Sequence, residues 1–61
     1  MTIYSEECRQ GREAAAELLR SIAGDGDRLP ELVRAIRDAA ADESGRGVGF
    51  LFVIAQTAVR L

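Results

Sequence analysis

The 61-residue chain is predicted to be all-α, a small three-helix domain assembled as a helical homodimer or docked on a larger protein. Three observations carry that expectation. Apolar residues recur at helical spacing in two long segments. No pair of segments alternates with period two, so no strand has a partner. Two clusters of glycine and polar residues, "AGDGD" and "ESGRG", cut the chain into pieces of helix length. Residues 1–61 form one domain, with helices expected near 5–23, 28–43 and 48–61.

The first helix follows from Tyr4, Cys8, Gly11, Ala15, Leu18 and Ile22, whose steps of four and three place them in one stripe. Glu6, Arg9, Glu13, Glu17 and Arg20 occupy the other side. Ser5 is read as the N-cap, with Glu6 and Glu7 favouring the positive end of the helix dipole. In the second helix Leu29, Leu32, Val33, Ile36 and Ala40 form the apolar face. Asp27 is expected to cap it, Pro30 fits its first turn, and Arg34 and Asp38 are spaced as an ion pair. Gly45 is expected to close this helix, and Gly45 to Gly49, "GRGVG", to serve as a hinge that lets the next helix approach closely.

The third segment is the apolar one. No charge falls between Arg46 and Arg60. As a strand it would be apolar on both faces and would need neighbours on both edges, which the chain does not provide; a helix is therefore expected. Phe50, Leu51, Phe52, Ile54, Ala55, Ala58, Val59 and Leu61 then span an apolar arc of roughly 200°. Leu51, Ala55 and Val59 form one ridge and Phe50, Ile54, Ala58 and Leu61 the next, one expected to face the first two helices and the other a partner.

Composition removes whole classes of function. There is no histidine, and Cys8 is the one cysteine, so a single chain assembles neither a disulfide nor a thiolate or imidazole metal site. Cys8 lies in the apolar stripe with no histidine to activate it and is read as a small buried residue. "GRGVG" follows a helix, has Phe50 where a dinucleotide loop needs glycine, and lacks the Lys-Ser/Thr pair of a P-loop. "GDGD" lacks the later ligands of a calcium loop. Glu13 and Glu17 share a solvated face with arginines. No enzymatic activity and no cofactor is assigned.

Ten acidic and eight basic residues give a net charge of −2, dispersed along the chain. Nucleic-acid binding needs clustered positive charge, and the outward residues of the second helix, Glu31, Arg34, Asp38 and Asp42, do not supply it, so a helical DNA-binding regulator is the weaker alternative. The uncharged run from Gly47 to Val59 is far shorter than the ~20 residues of a membrane span. A peripheral membrane-surface helix is disfavoured as well, since only Arg60 is basic near it. All basic residues are arginine, and lysine and asparagine are absent, which fits a GC-rich genome of bacterial or phage type. The start shows no secretory pattern, so a cytoplasmic location is expected.

What remains is a protein-binding module, a regulator, adaptor or inhibitor that binds itself and a larger protein through its apolar C-terminal helix. The interface is expected at Phe50, Leu51, Ile54, Ala55, Ala58 and Val59. Gly11, with Ala15, is expected to mark a close helix crossing, because glycine within a helix costs about 1 kcal/mol against alanine and here falls on the buried stripe.

Overall fold

The structure, a computed structural model, describes residues 3–60. Helix α1 spans Ile3–Ile22, a short 3₁₀ turn spans Gly26–Arg28, α2 spans Leu29–Ala41 and α3 spans Gly45–Arg60. No strand occurs among the described residues. α3 is the central element: it packs mainly on α1 and secondly on α2, while α1 and α2 barely touch one another. α3 runs in the same direction as α1 and opposite to α2, because Gly45 lies against Tyr4 and Phe50 against Gly11, whereas Gly47 lies against Ala39 and Asp42. The result is an elongated three-helix layer of 38 × 22 × 18 Å.

α1 begins at Ile3, so Ser5, expected as its cap, lies inside the first turn. On its outer side Arg9 bridges Glu6 and Glu13, the latter at 2.7 Å. The Arg9 guanidinium holds the Glu6 carboxyl below its ordinary range, but pairs this exposed contribute little to stability. The stripe read from the sequence faces inward in its middle and end, where Gly11, Ala15 and Ile22 are buried and Cys8 and Leu18 half-buried, whereas Tyr4 at its start is exposed.

The first connection differs from expectation in its cap. Asp27 does not cap α2, whose N-cap position is Arg28 and has no side-chain cap; Asp25 instead caps the preceding 3₁₀ turn, its carboxylate accepting the Asp27 N–H at 3.2 Å. Arg28 then ties the two helices together, donating to the Ser21 hydroxyl and carbonyl on α1 and to Glu31 of α2 at 2.8 Å. Pro30 sits in the first turn of α2 as the sequence required. Arg34 and Asp38 form no ion pair among the described residues.

The largest correction concerns "GRGVG". These residues are no hinge. They are the first turns of α3, and none of the glycines has positive φ. α2 ends at Ala41, and the break falls at Asp42 to Ser44. Asp42 is extended, its carboxylate accepts the Ser44 N–H at 2.8 Å, and the Ser44 hydroxyl accepts the Arg46 N–H at 3.2 Å. Ser44 is thereby the N-cap of α3. Glu7 of α1 accepts the Gly45 N–H at 3.3 Å, placing a carboxylate at the positive end of α3.

The glycines are needed for what they lack, a Cβ. A Cβ on Gly45 would lie 2.7 Å from the Tyr4 carbonyl oxygen, one on Gly49 would overlap the Cys8 carbonyl, and one on Gly47 would lie 2.5 Å from the Asp42 carbonyl. A step of two residues turns a helix by about 200°. Gly-x-Gly-x-Gly therefore offers bare backbone to α1 through Gly45 and Gly49 and to α2 through Gly47. Gly11 completes the α1–α3 crossing from the other side, where an added Cβ would overlap the Arg46 carbonyl oxygen and lie 2.8 Å from the Phe50 nitrogen.

Close packing of small residues leaves a thin core. Ala15, Ala39 and Phe50 form its centre, with Leu18, Ala35, Ile36, Leu51, Val53 and Ile54 packed around them. Ala15 is fully buried, while Ile22 and Phe50 are the large residues that come closest to it.

Candidate protein-interaction face

With α1 on one side of α3 and α2 nearly opposite, two sectors of α3 are left. Phe50 points into one of them, where α1 and α2 diverge around a shallow groove of about 260 Å³. Phe50 is its floor, Ala14 and Ala35 are its walls, and Asp38, Asp42 and Arg46 line its mouth. Arg46 is held there by Gln10, whose side-chain oxygen accepts its Nε–H at 2.9 Å.

The opposite sector carries Val48, Phe52, Ala55 and Val59, at steps of four, three and four, which is the spacing of a coiled-coil seam. All four are exposed: Val48 by 49%, Phe52 by 54% and Val59 by 86%. A shallow depression runs along the C-terminal half of the stripe between Phe52 and Arg60.

The neighbouring helices extend this surface. Asp38 and Ala35 of α2 face the groove, so on the helical wheel Leu29, Val33, Arg37 and Ala40 fall on the other side, next to the stripe. Leu29 and Val33 are each more than half exposed. Gln10 and Ala14 of α1 face the groove, which places Cys8, Arg12, Ala16 and Leu19 beside the stripe on its other edge. The layer is thus two-sided. Carboxylates border the groove, whereas the other side is apolar, with Arg12, Arg34, Arg37 and Arg60 around its edge.

The residues singled out from the sequence separate into three groups. Ala55, Ala58 and Val59 are exposed, Leu51 and Ile54 are half-buried, and Phe50 belongs to the chain's own core; Leu61 lies outside the described residues. Gly11 and Ala15 are buried on the α1 side of the α3 contact. Val48 and Phe52, central to the exposed stripe, were not singled out from the sequence as interface residues. The glycine spacing was the signal that bears on them: once Gly45 and Gly49 mark one contact side and Gly47 the other, positions 48, 52, 55 and 59 form one of the two sectors that remain, the other being that of Phe50.

Little else on the surface offers chemistry. Cys8 is half-buried, and its thiol beside the Tyr4 hydroxyl raises the phenol above its ordinary range. Among the described residues no three carboxylate or thiol side chains gather as metal ligands, and no helix is long and apolar enough to cross a membrane. In comparison with known proteins, the chain matches no family model, no curated protein and no solved structure.

Proposed function

We propose that the protein is a non-enzymatic protein-binding module whose working surface is the uncharged face of α3. The observation that carries this reading is Phe52, a large aromatic side chain half exposed at the middle of a four-residue apolar stripe, with Leu29 and Val33 continuing the surface on α2. Phe52 is only about half exposed, so burying the remainder on a partner is worth about 1–1.5 kcal/mol, and contiguous apolar surface of this kind marks interaction sites on soluble proteins. A regulator, adaptor or inhibitor needs no more equipment than this. The arrangement uses α1 and α2 as a frame that holds α3 with its stripe turned outward.

Phe52→Asp tests the reading, with Ile54→Asp as its counterpart. Phe52 is exposed, so its replacement is expected to leave the helices intact; Ile54 packs against the core, so its replacement is expected to unfold the chain. Wild-type protein is expected either to associate in sedimentation equilibrium or, where dilute enough to be monomeric, to bind a hydrophobic dye such as anilinonaphthalene sulfonate. Phe52→Asp is expected to lose both. A wild type that neither associates nor binds dye would refute the proposal, as would a Phe52→Asp variant that unfolds.

A further inference from the structure

We infer that a second copy of this chain occupies the apolar face, across a two-fold axis that sets α3 antiparallel to its mate. The inference rests on the reading of that face as a protein-binding surface. Its first support is area. A compact monomer of 6.6 kDa is expected to expose about 3,900 Å², whereas this chain exposes 4524 Å². The chain thus exposes about 600 Å² more than a compact monomer of its mass would, and Val48, Phe52 and Val59 stand exposed in a row on the apolar face.

The second support is shape. In an antiparallel pairing of the stripe with itself, Phe52 meets Ala55 of the second copy and Val48 meets Val59. One two-fold axis, crossing α3 between positions 53 and 54, satisfies both pairs at once. Each contact sets a larger side chain against one no larger, and the bulk of Phe52 falls over the smallest residue of the stripe. In a parallel pairing Phe52 would meet Phe52 and Ala55 would meet Ala55, leaving a collision beside a gap, which close packing disfavours.

The third support is charge. Gly11 lies beside Arg46 and Phe50, and Gly47 beside Ala39 and Asp42, so Arg12 and Arg37 flank α3 at nearly the same height, close to residue 50. A two-fold axis running along α3 would lay α1 over α2 of the second copy and bring Arg12 onto Arg37. An axis across α3 lays α1 over α1 and α2 over α2 with an axial offset, which separates each arginine from its own copy by about 10 Å along the helices, near a Debye length at physiological salt.

Single-cysteine variants decide the arrangement. In a Cys8→Ala background, Val48→Cys and Val59→Cys are made separately, each at an exposed position. In the antiparallel dimer residue 48 stands about 16 Å along the axis from its own copy, beyond the ~7 Å that a disulfide spans between Cα atoms, and next to residue 59 of the partner. When the two variants are mixed and oxidised with diamide, the mixed disulfide is expected to predominate over both self-disulfides, with sedimentation giving a species of two chains that Phe52→Asp dissociates. Predominant self-disulfides would overturn the antiparallel arrangement. A monomer that still binds the hydrophobic dye would overturn the second copy as the occupant and leave the face reading standing. A monomer that binds no dye would overturn both.

Discussion

Replacing Gly11 by alanine adds one methyl group to a helix, and in solvent that change would stabilise the helix by about 1 kcal/mol. Here the methyl would overlap the Arg46 carbonyl oxygen and come within 2.9 Å of the Arg46 carbonyl carbon and 2.8 Å of the Phe50 nitrogen. All three are main-chain atoms of α3, which have no rotamer to escape into, so α1 and α3 must separate. Overpacking of a tight site costs typically 1–3 kcal/mol, and a backbone obstacle places this site at the upper end. Setting ~3 kcal/mol of overpacking against the ~1 kcal/mol gain in propensity leaves a net loss of about 2 kcal/mol. For a domain of this size that lowers the melting temperature by about 8–16 °C. The assay is thermal unfolding followed by far-UV circular dichroism at one fixed protein concentration. A Gly11→Ala variant that melts at or above the wild-type temperature would show that the two backbones do not approach closely, and the account of why α3 begins with glycines would fall with it.

Two further outcomes follow from the same contacts and from the second connection. Gly24 and Gly26 have open space where a Cβ would stand and no positive φ, so Gly24→Ala or Gly26→Ala is expected to be neutral or to stabilise by up to about 1 kcal/mol; a loss like that expected at Gly11 would show that glycine is needed there for another reason. Asp42 is held below its ordinary range by the Ser44 hydroxyl and N–H. A carboxyl depressed in the folded state contributes stability that is present above its unfolded value, about 3.9, and lost as pH falls through the folded one. The melting temperature is therefore expected to drop in acid below about pH 4, less so in Asp42→Asn, and an NMR titration placing the Asp42 midpoint at or above 3.9 would contradict the contact.

Periodicity made α1 and α2 readable as helices, because in both the apolar stripe is narrow and the charged side is wide, but it did not place the buried side of α2: Leu29, Val33 and Ala40 of its expected apolar face are exposed, and Ala39 is the residue buried against α3. α3 was harder for a physical reason. Its apolar arc is so broad that a wheel alone cannot separate inward from outward, and Phe50, Leu51 and Ile54 were placed together with Ala55 and Val59 although the structure buries the first and half-buries the next two. The misplaced start of α3 has a related cause. Glycine breaks helices when nothing compensates its backbone entropy, and three in five residues read as a break. Here the compensation is tertiary and cannot be seen locally: Gly45 and Gly49 meet α1, and Gly47 meets α2. Ser44 was the local sign of a helix start, overshadowed by the glycines that follow it. The close approach assigned to "GRGVG" and the close helix crossing assigned to Gly11 concern one and the same contact, which becomes evident only when α1 and α3 are brought together.

The glycines that build the layer also bear on why its surface invites a partner. Small residues let three helices approach closely, and close approach yields good dispersion contact, but a backbone without side chains removes little apolar area from water. The core is correspondingly thin, and the large apolar side chains of α3 are divided between it and the outside: Phe50 inward, Phe52 outward. That division is geometric. Positions 45 and 49 fix one side of α3 on α1 and position 47 fixes the other on α2, so residue 50 must enter the sector shared by both neighbours and residue 52, a further 200° around the helix, must leave it. Phe52 is neither in the core cluster nor among the residues packed against it, so its replacement by a polar residue is expected to leave this framework intact, and the core does not call for an aromatic there. On the proposed reading the requirement comes from the partner. Because a second chain that binds only the folded form adds to stability by mass action, a module with so small a core would, on that reading, draw part of its stability from the contact proposed as its function.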